Sequence, residues 1–437
     1  MKKYLTILGI LALGVFAASC NKNKEAQPVA IDIQLTSDGT DFAVEGVKVS
    51  LSDAAASFTL EASTDAKGVA TFSVKPGAYT AQATYVTSEN GQRLAYNGSN
   101  NNIMVVEAST KPYSLPLQKV VSQQIVIKEV YSTGCPKEPS GSYSDDAYII
   151  LYNNSEFEAD ATDVVFGMLF PYNGHGTNKF YTDGALLYEN LSWVPAASAL
   201  WSFNTTVKIP AYSQIVIVLY GAIDHTATQP ASVNLADASY YWMSKNDQFK
   251  ATKYQAGNVV PETNYLTCTP FNSGTAWLFS NSAPSLFIGK MPKADVEALV
   301  KNTDDYDKTQ GTSAAQVAVK FPQDKIIGAL EVWSSANIEK SNLRFPASLN
   351  TGYIAIANNK GYTVYRNVDK EATEALPENE GKLVYNYAGG TEDVEGSTDP
   401  SGIDAEASIA AGAHIIYKQT NSSANDFHIR KVSSLKK

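Results

Sequence analysis

The chain has 437 residues, with 34 Lys and Arg against 44 Asp and Glu and a formal net charge of −10, enough length for two or three domains with their own cores. The acidic balance argues against a nucleic-acid partner, whose phosphates demand a basic face. Only 18% of residues are charged and 11% are aromatic, which excludes disorder as the general state. At the start, Met1-Lys2-Lys3 is a short basic region, and Leu5 to Ala18 is an apolar stretch. It falls short of the ~20 residues a spanning helix needs.

The stretch runs into Phe16-Ala17-Ala18-Ser19-Cys20. Small residues before a cleavage site let a peptidase close on the backbone, and a thiol can carry a glyceride. The segment resembles a bacterial lipobox, with Phe16 where Leu is usual. The resemblance implies a signal peptide over 1–19, a lipid on Cys20 as the membrane anchor with no cofactor expected, and a polar tether over 20–28. An ordinary cleaved signal with a chance cysteine is the blander reading. Asn21 replaces the Asp of an inner-membrane retention signal, so outer-membrane sorting is implied. The following Asn21-Lys22-Asn23-Lys24-Glu25 is mostly basic where surface lipoproteins of the Bacteroidetes type are acidic. The periplasmic face and the cell surface both stay open.

From Val29 onward, short runs alternate: Ile31 to Leu35, Val47 to Leu51, Thr71 to Val74 and Tyr79 to Ala83. Period-two alternation with a turn about every ten residues predicts antiparallel strands. Gly46-Val47-Lys48-Val49, Thr64 to Phe72 with its Asp65 and Gly68, and Lys75-Pro76-Gly77-Ala78-Tyr79 resemble a carboxypeptidase regulatory-like, transthyretin-like module over 29–119. Such a module is usually a spacer or docking unit.

The boundary is expected near Leu117 to Ser122. Beyond it come Gln124 to Tyr131, a polar loop, and Asp145 to Ser155 with Tyr148-Ile149-Ile150-Leu151-Tyr152-Asn153-Asn154-Ser155. This pattern, Ile209 to Leu219 and Gly361 to Arg366 resemble a lamin-tail-type immunoglobulin-like sandwich, placed over 120–437. With the Thr420 to Phe427 tail, the region resembles a Bacteroidetes lipoprotein family of uncharacterised function. Genes of that kind often accompany TonB-dependent receptors, an association rather than a physical argument. The expected fold is therefore mainly β, two tandem antiparallel sandwiches, the second with long insertions and a short helix. The helix is expected over Pro292 to Lys301, with apolar residues at 296, 299 and 300. Residues 374–412 are acidic and Gly-rich and predict an exposed loop.

Cys135 and Cys268 remain after lipidation. In an oxidising envelope they could pair, with two buried thiols as the equal alternative. The sequence holds no Gly-x-Ser-x-Gly, His-Glu-x-x-His or phosphate-binding Gly loop. His175, His225, His414 and His428 stand apart from one another, and no metal site is expected from their spacing. His175 between glycines reads as a solvated loop residue, with an exposed metal or haem ligand as the alternative, and Asp426 with His428 as a solvated strand pair rather than the weak metal signal two side chains could give. Asp304-Asp305-Tyr306-Asp307 departs from a calcium loop, and Asp145-Asp146 reads as a capped loop end rather than a cation site.

The aromatic run Tyr240-Tyr241-Trp242 lies in an insertion and is the candidate ligand-binding segment for a small ligand or glycan, with core packing as the alternative. Trp193, Trp201, Trp277 and Trp333 are weaker candidates. The expected function is a non-catalytic binding or accessory lipoprotein of the outer membrane, working with a TonB-dependent receptor. A fimbrial or adhesive subunit is the second reading, and an envelope hydrolase the third.

Overall fold

The computed structural model describes residues 26–53, 58–89, 92–108, 110–175, 177–245, 251–271, 279–392 and 396–436. The chain is mainly β and divides into two compact units. One holds the described residues up to Thr87 with Leu94–Val120, the other Ser88–Arg93 with Val121 onward.

The first unit is built from β1 (Val29–Ser37), β2 (Lys48–Asp53), β3 (Thr59–Ser63), β4 (Val69–Val74), β5 (Gly77–Glu89), β6 (Gln92–Val105) and β7 (Tyr113–Ser122). The sheet runs β1-β7-β6-β5-β2-β3, with β4 also paired to β1. Every second residue faces one core: Ile31, Ile33 and Leu35, Val49 and Leu51, Phe72 and Val74, Leu115 and Leu117, as the pleat requires. The turn before β4 is set by Asp65, whose carboxylate accepts the amides of Lys67 at 2.9 Å and Val69 at 3.0 Å. Those amides hold its pKa below the usual range. Gly68 has φ +77°, and a Cβ there would sit 2.0 Å from the Phe42 carbonyl oxygen. The Lys75 turn is closed by the Tyr79 hydroxyl, which donates to the Lys75 carbonyl at 2.7 Å.

The second unit carries β8 (Ile125–Tyr131), β9 (Tyr148–Asn153), β10 (Val164–Met168), β11 (Ala199–Ser202), β12 (Gln214–Val218), β13 (Tyr241–Lys245), β14 (Tyr265–Pro270), β15 (Ser285–Lys290), β16 (Ile326–Ser334), β17 (Ile354–Ile356), β18 (Thr363–Arg366) and β19 (Phe427–Arg430). Their hydrogen-bonded order is β17-β16-β15-β10-β11-β14-β13-β12-β9-β8-β18-β19. The path folds back so that β16 packs against β8, and both feed the main core through Ile127, Val130, Leu330 and Val332. The expectation of purely antiparallel sheets fails in both units: in the first, β1 pairs in parallel with β7. β13 pairs in parallel with β12 and β14, and β17 with β16. Parallel neighbours need crossovers rather than hairpins, and the insertions 219–240 and 335–353 provide them.

β9 is buried along its whole length. Ile149 and Leu151 face the main core, while Tyr148 and Ile150 enter a second cluster and Tyr152 a third. Insertions therefore cover the outer face, which is why this strand reads as nearly continuous apolar residues. The stretch expected to be an exposed loop belongs to this cover. Ile403 and Ala405 are buried with Ile415 and Tyr417, and α2 (Ala405–Ala410) is capped by Asp404, which accepts from the Ala407 amide. Asp404 caps that helix and Asp399 is buried, whereas Glu374, Glu378, Glu380 and Glu392 stay exposed as expected. Helix α1 (Lys293–Lys301) follows Pro292, has Asp295 in its first turn and buries Val296 and Val300. Among the described residues, no helix is long and apolar enough to cross a membrane.

Candidate functional site

Lys128 and Glu129 sit in the middle of a strand buried at every position. Ile150 faces Glu129 and Leu151 faces Ile127, so Lys128 is the extra residue of a β-bulge. The bulge presents both charges to the outer layer, while Ile127 and Val130 remain in the main core. Lys128 Nζ lies 2.7 Å from Glu406 Oε1 on α2 and donates to Gln214 Oε1 on β12 at 2.6 Å. The rings of Tyr152, Tyr365 and Tyr417 stand 5.6 to 5.9 Å from the ammonium. The Tyr365 hydroxyl donates to Glu406 at 2.6 Å and meets the Tyr417 hydroxyl at 2.8 Å. Burial works to raise the Glu406 pKa, but the Lys128 charge and the hydrogen bonds from Lys128 and Tyr365 outweigh it and hold the carboxyl below its usual range. Glu129 accepts from the Tyr148 hydroxyl at 2.8 Å, the Ser434 amide at 3.1 Å and the Ser434 hydroxyl. Burial nevertheless lifts its carboxyl above the usual range.

Two further buried pairs join distant segments. Arg344 and Glu331 meet at 2.8 Å with both side chains fully buried. Glu331 also accepts from Ser285 and from Trp333 Nε1. The remaining Arg344 N–H groups donate to the carbonyls of Pro171, Tyr172, Ala283 and Val332. Arg366 reaches Asp426 at 3.4 Å and donates to the carbonyls of Ile127 and Lys418. Beside it, His428 bridges Asn367 Oδ1 through Nδ1 and the Tyr387 hydroxyl through Nε2, both at 2.8 Å. Burial and the neighbouring Arg430 charge push its pKa down to about 3, so it is neutral. Asp426 and His428 are therefore buried structural residues, not the solvated pair expected; the cover packs onto that strand.

Asp146 is also sealed. Its Oδ2 accepts from Tyr131 at 3.1 Å, Ser232 at 2.5 Å and the Cys135 thiol at 3.6 Å. Burial and then the Asp146 charge raise the Cys135 pKa to about 11. Cys268 lies in β14 opposite Trp201. Both cysteines are buried thiols and do not form a disulfide, because one is tied to Asp146 outside the main core and the other is packed within it. His225 bridges the Tyr143 hydroxyl at 2.6 Å and the Gly221 carbonyl at 2.8 Å. Burial pushes Lys253 down to about 6 against the pull of Asp145, with the Tyr220 ring 4.0 Å from its Nζ.

The predicted aromatic segment is divided between core and surface. Trp242 is buried in β13, donates to the Tyr220 carbonyl at 2.7 Å and meets Tyr265 edge-on. Its ring is committed to packing, because β13 is a covered central strand. Tyr241 is half-buried against Phe203, and Tyr240 is half-buried at the edge of the second cluster. Trp201 and Trp333 are buried, the latter stacked on Tyr353. Trp193 is half-buried and stacks on Tyr188. Gly174, ahead of His175, is required by its φ of +73° and by Arg344, whose Cζ would lie 2.8 Å from a Cβ. Asp307 accepts from the Thr309 amide and hydroxyl, and Asp305 pairs with Lys320. Cys20 and Trp277 fall outside the described residues.

Among the described residues, no three His, Cys, Asp or Glu side chains converge as a metal set. A depression of about 60 Å³ is lined by residues including Gln123, Ile327, Leu349 and Gln419, room for about two waters. The chemically richest place is thus the Lys128 cluster, where an amine, a primary amide and a carboxylate meet. It was not singled out from sequence, although two adjacent charges inside Ile125 to Tyr131 were a visible signal. Their partners, Gln214 and Glu406, carry no local signature.

A family model described as a protein of unknown function, DUF4876, matches residues 212–401. None of the curated proteins matches the chain. Among solved structures, the chain is similar to a DUF4876 family protein from Bacteroides thetaiotaomicron at 17% identity, covering 92% of this chain and 95% of that one with a TM-score of 0.51. At that identity the likeness speaks to fold alone. The match to BcpA, the major pilin subunit of Bacillus cereus, has 11% identity and covers 76% of this chain and all of that one, at a TM-score of 0.18. It carries no weight. The chain thus shares a β fold with a DUF4876 structure, and its central segment carries that family's sequence pattern.

Proposed function

We propose that this protein is a lipid-anchored component of the outer membrane that binds or presents a ligand beside a TonB-dependent receptor, without chemistry of its own on that ligand. The observation that carries the reading is how the buried charges are used. Lys128 with Glu406, Glu331 with Arg344, and Arg366 with Asp426 each tie a covering segment to a sandwich strand. Such pairs contribute little net stability but fix one arrangement of the segments they join. A rigid covering layer suits recognition of a partner. The lipobox supports the anchor, and the regulatory-like and lamin-tail-like patterns support a spacer followed by a recognition module.

Growth with an alkyne-tagged fatty acid tests the anchor. The natural protein should be labelled and sediment with outer membranes, and Cys20→Ala should be unlabelled and released. A mutant that stays with membranes after high-salt and urea washing would overturn it.

A further inference from the structure

We propose that Lys128 and Gln214 become joined by an isopeptide bond that the fold forms by itself. Three elements bring the reactants together: the bulge of β8 supplies the amine, the start of β12 the amide, and α2 the carboxylate. Lys128 Nζ already donates to Gln214 Oε1 at 2.6 Å, which polarises the carbonyl. Glu406 Oε1 is 2.7 Å from the same nitrogen, within proton-transfer reach. The amine is buried among tyrosine rings, so few waters compete for it. Gln214 itself is exposed, which gives the leaving group a path to solvent.

The reaction balances without any added reagent. Glu406 takes a proton from the ammonium, and the freed lone pair attacks Gln214 Cδ. Rotation of the amide about its terminal torsion, which is broad and soft, leaves Cδ in place but swings Oε1 aside and turns the carbonyl face toward Nζ, and the Lys128 side chain closes the remaining distance. The tetrahedral carbon collapses by breaking its bond to Nε2. Glu406 returns that proton to Nε2, which breaks away as ammonia; the carboxylate then takes the second proton from the attacking nitrogen and passes it to the departing ammonia, which leaves as ammonium. One Lys–Gln amide forms, one Gln primary amide is lost, and one ammonium ion departs. The Lys128 charge holds Glu406 in its ionised form, ready to act as the base, and the step is a slow maturation after folding. The bond would close the sheet across β9, since β8 and β12 flank that strand. It is independent of which ligand the protein binds.

The test is mass spectrometry of the full-length protein isolated from its membranes and digested under denaturing conditions. The expected result is a branched peptide joining the Lys128 and Gln214 fragments, lighter than their sum by one ammonia. It should be absent from Gln214→Met, a surface replacement that keeps the fold. Glu406→Gln, confirmed as folded by near-ultraviolet circular dichroism, should retain both separate peptides. Recovery of the two unlinked peptides from the natural protein, after prolonged incubation of folded material at neutral pH, would overturn the proposal. So would the same mass loss in Gln214→Met.

Discussion

Arg344→Met tests the view that buried charges fix the covering segments. The substitution keeps most of the side-chain volume and removes a guanidinium that donates to Glu331 and to four carbonyls. Glu331 would keep Ser285, Trp333 and the Arg344 amide as donors, but as a buried carboxylate with no cation. Breaking such a pair from one side costs about 3–5 kcal/mol. With an unfolding entropy scaling as about 2 cal/mol/K per residue, a unit of roughly 320 residues should melt about 5–7 °C lower. Thermal unfolding followed by tryptophan fluorescence suits the measurement, because Trp333 donates directly to Glu331. The double variant Glu331→Leu, Arg344→Met should recover most of the loss, since it leaves no buried charge. A single variant within 1 kcal/mol of the natural protein, or a double variant no better than the single, would refute the reasoning.

Trp242→Ala should cost about 3–5 kcal/mol, whereas Tyr240→Ala, at a half-buried position, should cost clearly less; equal small losses in thermal unfolding would return Trp242 to the surface. His428 resists protonation down to about pH 3, while the unfolded imidazole takes its proton near 6.5. Between those values the unfolded chain binds more protons, so stability falls as pH falls, by up to about 1.4 kcal/mol per unit from this group. Urea titrations should show that slope flattened in His428→Gln, and an unchanged acid limb would contradict a neutral buried imidazole. Gly68→Ala should destabilise the first unit by on the order of 1–3 kcal/mol, because its φ is +77° and the Phe42 carbonyl occupies the Cβ position; a neutral effect would mean the turn can rearrange.

The first unit was the more legible, because its strands have one buried face and alternation writes that face directly into residues such as Ile31, Ile33 and Leu35. The helix after Pro292 was legible for the same reason at a different period. The second unit hides its organisation because β9 is covered on both sides and no polar face marks the sheet's outside. Parallel pairing at β13 and β17 depends on where long insertions return, which no local pattern states. Acidic residues around Asp404 and Asp426 misled, since the same side chains that solvate loops also cap helices and pair with buried arginines. The Lys128 cluster shows the limit most plainly. Its strand residue stood out in sequence, but Gln214 and Glu406 acquire meaning only once the sheet and its cover are assembled.

The proposed function is tested most directly by purifying the tagged, natively lipidated protein from detergent-extracted outer membranes and identifying co-purifying proteins by mass spectrometry. A TonB-dependent receptor recovered in near-stoichiometric amount, and lost when Cys20→Ala releases the chain from the membrane, is the predicted result. Recovery of the lipidated protein alone, at the same yield and without any receptor, would contradict it.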